Sequence, residues 1–366
     1  MSKSISFLLG AGFSYPMGYP IGNSMEDRLN DAIDNYIQEF NAAPRKETLD
    51  RFPFVLREMM ACYKESHNNT FDYERFFEYI PNCCFDERIT NARNKYHYKH
   101  QYSIEYIALD IQDDYLRYTS DLIKDEKGKQ FYNEQDTEQL SKYEQFIDSL
   151  KELLERGYDI NIHTLNHDLL FESFKNSPVI GGDICDGFDC ENSPYKGNIG
   201  KEWVTLPYYT GKYDKRIKLY KLHGSIDQYA YYEENENFKY DNHIKVYENV
   251  SNWEFKKNDG TYHFPEWHPD FLTGVKSKER KYNSYLYQVL FPKFVDDLKS
   301  ADCLIIIGYG AKDNRINELI VKNFNYSNKS CFIYDPYPNE ILEGFANNIK
   351  KEITRKCVEE FELPNF

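Results

Sequence analysis

The chain has 366 residues, 41% of them hydrophobic and 29% charged, with a formal net charge of −15. That length builds one large or two ordinary domains, and the composition excludes a disordered chain. The acidity excludes strong non-specific nucleic-acid binding, because phosphate contacts need Lys and Arg; no apolar run is long enough to span a membrane.

The eight cysteines include the adjacent pair Cys83 and Cys84, and Cys185 and Cys190 five apart, but no C-x-x-C. A zinc ribbon is therefore not expected, and no compact carboxylate cluster points to a metal. Met1 to Leu9 is too short for a secretory signal and runs at once into glycines, so a cytoplasmic protein with reduced thiols is expected. The 33 tyrosines suit large insertions or subunit interfaces, since Tyr covers apolar surface and keeps a polar tip.

In chain order, Ser4 to Leu9 reads as a buried strand that runs straight into Gly10-Ala11-Gly12-Phe13-Ser14. Such a turn is either a phosphate loop or a tight strand-to-helix turn. Gly10 and Gly12 leave no Cβ where a pyrophosphate would approach the backbone. The loop lacks the third glycine of a hydride-transferring dehydrogenase and the Lys of a P-loop. Asn23 or Ser24 can then cap a helix whose apolar face is Met25, Leu29, Ile33, Ile37 and Phe40. Helical spacing continues through Phe52, Val55, Leu56 and Met59, then Tyr73, Phe76, Phe77 and Ile80, then Tyr106, Ile107, Leu109 and Ile111. Lys124 to Gln139 reads as a loop or an exposed helix.

Tyr158 to Leu165 reads as a second strand, ending at Asn166-His167-Asp168 and followed by a helix with Leu169, Leu170 and Phe174 facing inward. Asn166 and Asp168 stand at a strand end, where ligands bind in open α/β sheets; an ordinary helix cap is the alternative. Gly181 to about Arg216 has no clear period and the composition of loops or a small module. Ile217 to Leu222 alternates like a strand and delivers His223-Gly224. An imidazole there suits a general base, although a lone His is more often structural. A further irregular segment, Glu233 to Lys281, carries Trp253 and Trp267. A helix from about Tyr285 to Lys299 precedes a strand, Cys303 to Ile307. A second glycine turn follows, Gly308-Tyr309-Gly310, and Asp313 or Asn314 can cap the next helix. The last strand, Cys331 to Tyr334, closes on Asp335, placed either to bond a ribose hydroxyl or to turn the chain before Pro336.

The glycine loop (Gly10, Gly12, Ser14), the Asn-x-Asp (Asn166, Asp168), the His-Gly (His223, Gly224) and the late loop (Gly308, Gly310), in that order, resemble the sirtuin superfamily. The late loop with Asp313 and Asn317, and the stretch Phe71-Asp72-Tyr73-Glu74-Arg75-Phe76-Phe77, are similar to the NAD-consuming effectors of bacterial anti-phage systems. The resemblance implies a Rossmann-like α/β domain, a parallel sheet with helices on both faces, over 1–24 and 157–366. A mostly helical insertion over 25–156 and irregular insertions over about 181–216 and 233–281 complete the chain. It also implies cleavage of NAD+ as substrate, with Asn166, Asp168 and His223 catalytic. Gly10, Ala11, Gly12, Ser14, Gly308, Tyr309, Gly310 and Asp335 would bind the dinucleotide. The four-Cys zinc module of the deacylases is absent, and Gly18-Tyr19-Pro20-Ile21-Gly22 stands where they carry an Arg-containing stretch. An NAD+ glycohydrolase acting in abortive infection is therefore expected, gated by homo-oligomer assembly and a HerA-type ATPase. An NAD-dependent protein deacylase and a non-catalytic NAD or ADP-ribose sensor are the alternatives.

Overall fold

The computed structural model describes residues 3–43, 49–232, 240–251, 254–261, 265–266, 268–273 and 285–366. Trp253 and Trp267 lie outside the described residues. The chain divides into two compact units, Met1–Tyr19 with Lys124–Glu266 and Asn283–Phe366, and Pro20–Ile123 with Trp267–Tyr282.

The first unit contains fourteen strands among the described residues: β1 (Ser4–Leu9), β2 (Asp159–Thr164), β3 (Ile184–Cys185), β4 (Gly187–Asp189), β5 (Tyr195–Ile199), β6 (Glu202–Thr205), β7 (Tyr208–Lys212), β8 (Ile217–Lys221), β9 (Gln228–Tyr232), β10 (Tyr240–Lys245), β11 (Phe255–Lys257), β12 (Cys303–Ile307), β13 (Ser330–Tyr334) and β14 (Ile353–Thr354). Seven form one parallel sheet in the order β14-β13-β12-β1-β2-β8-β3. Every residue of β1 and of β12 is buried, as expected for strands covered on both faces.

Alternation along β1 shows how the two faces are covered. Phe7 meets Phe146 of the helix Glu144–Glu155, ring centroids 5.7 Å apart. Its neighbour Ser6 points the opposite way and donates to the Asp297 carbonyl of the helix Tyr285–Ser300 at 3.5 Å. Successive side chains of a strand face opposite sides, so the two helices lie on opposite faces of the sheet. This is the expected α/β architecture.

The helix Glu144–Glu155, read from the sequence as insertion, belongs to this sheet unit. The helix expected after Asn166 is a single turn, Leu170–Ser173, continued as a 3-10 turn. The segment without clear period forms the edge strand β3 and short antiparallel strands. These, β4 to β7, pair with β9, β10 and β11 from further along the chain as β4-β7-β10-β9 and β11-β5-β6 around Tyr195, Leu206, Tyr231, Ile244 and Phe255.

The second unit is helical among its described residues: Met25–Ala42, Phe52–Ser66, Tyr73–Cys83, Glu87–Tyr96 and Ile104–Ser120. Met25, Leu29, Ile33 and Phe40 are its buried face on the first helix, as the spacing predicts. Ser24 precedes that helix but spends its hydroxyl on the Ile21 carbonyl. Leu109, assigned inward by spacing, is 69% exposed, whereas Ile107 and Ile111 are buried.

Phe146 is fully buried among the rings of Phe7, Phe13, Phe174 and Phe361. Phe146→Ala is expected to cost about 3–5 kcal/mol, measured by urea denaturation of the full chain.

Candidate functional site

Register alone assembles the site. Leu9 pairs with Ile307 on one side and Thr164 on the other, and Thr164 pairs with Lys221. The four strands therefore end flush. The residues that follow each end, Gly10, Asn166, His223 and Gly308, emerge together at the carboxyl edge. The chain leaves β1 for β2 on one side and returns through β12 on the other, so this edge is the topological switch point where open α/β sheets bind ligands.

The two glycine loops press against each other. Gly12 N–H donates to the Gly308 carbonyl at 2.9 Å, and Gly10 N–H to the Ile307 carbonyl at 3.0 Å. A Cβ at Gly10 would lie 2.5 Å from Gly308 O, and one at Gly12 would lie 2.7 Å from Gly308 Cα. The sequence reading kept these positions bare for a pyrophosphate. In the structure the nearest occupant is the backbone of the other loop. Gly308 itself has φ +61 and would put a Cβ 2.3 Å from Phe13 N. Three residues on, Ala311 is buried at φ +55, where a Cβ costs about 1–2 kcal/mol; Asn317 Nδ2 holds its carbonyl at 2.8 Å. Ala11 is exposed on the single turn Ala11–Ser14.

Asn166 is buried, and its Nδ2 donates to Gly10 O at 2.9 Å and to Ser14 Oγ at 3.0 Å. It ties the end of β2 to the first glycine loop. Asp168 Oδ1 accepts from Leu170 N at 3.0 Å. Burial pushes the Asp168 carboxyl up, against the pull of Lys221 and the Ser14 hydroxyl. Asn166, read as the alternative cap, does not cap the next turn, whose N-cap is Leu169 with no side-chain cap bond; Asp168 instead holds Leu170 N at the start of that turn, beside Asn166 and Ser14.

His223 is 4% exposed. Its Nε2 lies 3.2 Å from Oδ2 of Asp313, and its ring stacks on His167 with centroids 6.4 Å apart. Tyr309, buried, donates through its hydroxyl to the Asp313 carbonyl at 3.0 Å and to Asn317 Oδ1 at 2.8 Å. Gly310 O accepts from Asn339 Nδ2 at 3.1 Å. Asp335 is half-buried and pushed up by that burial; its Oδ1 accepts from Tyr337 N at 2.8 Å. That bond is the turn before the chain's next helix, one of the two roles the sequence left open for it.

Sequence reasoning missed a buried ionic network beside Asp168. Lys221 Nζ donates to the Asp168 carbonyl and lies 3.5 Å from Glu172. Lys245 Nζ meets Asp186 at 2.8 Å, Asp227 at 3.3 Å and Glu172 at 3.6 Å, and Lys175 meets Asp186 at 2.9 Å. The signal was available at Lys221, a cation that the alternation puts on the same face as Ile217 and Leu219. Also missed were Tyr19 and Tyr132, whose hydroxyls meet at 2.8 Å. Both phenols are pushed up, first by burial and further by nearby charges that include Asp168. Among the described residues no group of three or more His, Cys, Asp or Glu is placed to hold a metal ion.

A family profile described as SIR2-like domain matches residues 161–356, from inside β2 to just beyond β14, more than half of the chain. The chain belongs to the SIR2-like domain family. The matched span holds Asn166, Asp168, His223 and the late glycine loop of this SIR2-like chain. A Sir2 homologue solved with NAD is 13% identical, with 98% of this chain and 86% of that one covered and a TM-score of 0.43. Sir2 bound to an acetylated peptide is 12% identical, with 98% and 90% covered and a TM-score of 0.36. A mutant Sir2 homologue solved with ADP-ribose is 12% identical, with 98% and 88% covered and a TM-score of 0.40. No curated protein matches the sequence.

Two outcomes follow from this packing. Gly308→Ala is expected to cost about 1–3 kcal/mol from the clash with Phe13 N and about 1–2 kcal/mol more from its left-handed backbone, read by urea denaturation. Burial alone would raise the Asp186 carboxyl, but Lys245 and Lys175 outweigh it and hold it well below the ordinary range. A depressed carboxyl stabilises the fold in full above its unfolded value of about 3.9 and loses that stabilisation as pH falls further. Asp186→Asn should therefore cost about 3–5 kcal/mol at neutral pH. The gap to wild type should narrow below about pH 4, measured by urea denaturation across pH.

Proposed function

We propose that this SIR2-like chain is an NAD+ glycohydrolase that releases nicotinamide and ADP-ribose. What supports the reading is that His223, Asn166 and Asp168 follow the ends of the neighbouring strands β8 and β2 at the switch point of the sheet, beside both glycine loops. Cleavage of the nicotinamide–ribose bond passes through an oxocarbenium-like state. The C1′–N electron pair leaves with nicotinamide, and a water oxygen adds to C1′. His223 takes the proton of that water or of a ribose hydroxyl and returns it to solvent.

The Asn166 amide hydrogens are spent on Gly10 and Ser14, so its Oδ1 is the atom that meets a ribose hydroxyl or the attacking water. Asp168, its carboxyl pushed up by burial, holds the nicotinamide carboxamide. Gly10, Ala11, Gly12 and Ser14, with Gly308, Tyr309 and Gly310, would receive the pyrophosphate, and Asp335, just after β13, the second ribose. The residue types present, a carboxyl and an amide oxygen, suit an uncharged leaving group and a developing cation.

Asn166, Asp168 and His223 are each less than a tenth exposed. Their burial would shield the chemistry from bulk water. We assign the trigger to homo-oligomer assembly with a HerA-type ATPase, and the role to abortive infection against phage in the cytoplasm.

NAD+ should be consumed by the assembled complex, with nicotinamide and ADP-ribose appearing in step on chromatography. His223→Ala should slow this by about 10²–10⁴-fold. Asn166→Ala should slow it comparably and also loosen the first glycine loop, seen as a lower melting temperature. Wild type that leaves NAD+ intact with and without the ATPase overturns the proposal. If NAD+ is consumed only with an acyl peptide present, the chain is a deacylase; if it binds NAD+ without turnover, it is a sensor.

A further inference from the structure

We propose that Asp313 is the positioning residue of His223; this rests on the NAD+-cleaving reading above. Three contacts fix the aspartate. Its Oδ1 accepts from Ile316 N at 3.1 Å, as the N-cap of the helix Asn314–Asn323. Its carbonyl accepts from the Tyr309 hydroxyl at 3.0 Å. Its Oδ2 stands 3.2 Å from His223 Nε2, with the two side chains 12% and 5% exposed. Tyr309 in turn is bonded to Asn317, whose amide holds the strained Ala311. The late glycine loop therefore ends in a carboxylate that cannot swing away from the imidazole.

The two oxygens do different work. Oδ1 starts the helix, a task an asparagine oxygen performs equally well. Oδ2 carries the charge that faces the ring. In a water-poor site that charge orients the imidazole and stabilises the imidazolium formed when His223 takes a proton from water or a ribose hydroxyl. The proton moves from that oxygen to the ring and then to solvent; no other bond to Asp313 forms or breaks. Because the Gly308 carbonyl of the same loop accepts from Gly12 N–H, Asp313 also links the loop pair to the base.

The substitution that separates these tasks is Asp313→Asn, which keeps the cap and removes the charge. In the assembled complex it should melt with wild type and keep the KM for NAD+. Its kcat should fall at least about tenfold, short of the roughly 10²–10⁴-fold of His223→Ala. Tyr309→Phe should show a smaller loss of the same kind. Independently of turnover, 15N-histidine spectra of the full chain, with the His223 signal assigned through His223→Ala, should show that signal displaced in Asp313→Asn. An unmoved His223 signal overturns the inference, as does an unchanged kcat in an active complex. A displaced signal in a chain that leaves NAD+ intact supports the pairing and sinks the glycohydrolase reading instead.

Discussion

The flush register of four parallel strands is the constraint on which the site depends. Leu9, Thr164, Lys221 and Ile307 sit side by side at the carboxyl edge, so short sequences far apart in the chain need only follow their own strand to meet. A one-residue slip of any strand would turn its buried side chains to the other face. It would also carry Asn166 or His223 out of reach. The apolar strands fix that register, and so the chemistry inherits its precision from the core rather than from the loops.

The loops add a second constraint, close approach. Gly10, Gly12 and Gly308 are glycines because each meets the opposing backbone at distances no Cβ allows. The bond from Gly12 N to Gly308 O joins the two loops, and those from Asn166 to Gly10 and Ser14 tie the first loop to the end of β2. Below them lies an ionic layer of Lys175, Lys221 and Lys245 with Glu172, Asp186 and Asp227. It joins the end of β8, the turn after Asn166 and the antiparallel strand β10. Buried charges of this kind stabilise little by themselves, but removing one member leaves the others uncompensated.

The strands and the order of the site motifs were legible because each strand is a short apolar run closed by Gly, Asn or His. β12 and the helix from Tyr285 matched closely for that reason. The antiparallel strands were not legible: β4 to β7 are three to five residues long and mix Tyr, Thr, Lys and Gly without clean alternation. The turn Leu170–Ser173 was over-read, since Leu169, Leu170 and Phe174 imitate a helical face over a single turn. Asp313 looked like a cap and is one. Its second oxygen, aimed at His223, is a tertiary fact with no local signature. Lys221 was readable only as an oddity, because its partners, the Asp168 carbonyl and Glu172, come from the distant turn after β2.

The most direct measurement is a crystal structure of the His223→Ala chain grown with NAD+. The account predicts an intact dinucleotide with its nicotinamide ribose between Asn166 and position 223, its carboxamide at Asp168, and its pyrophosphate along Gly10 to Ser14 and Gly308. A dinucleotide bound elsewhere on the chain, or one whose nicotinamide ribose points away from position 223, would contradict it.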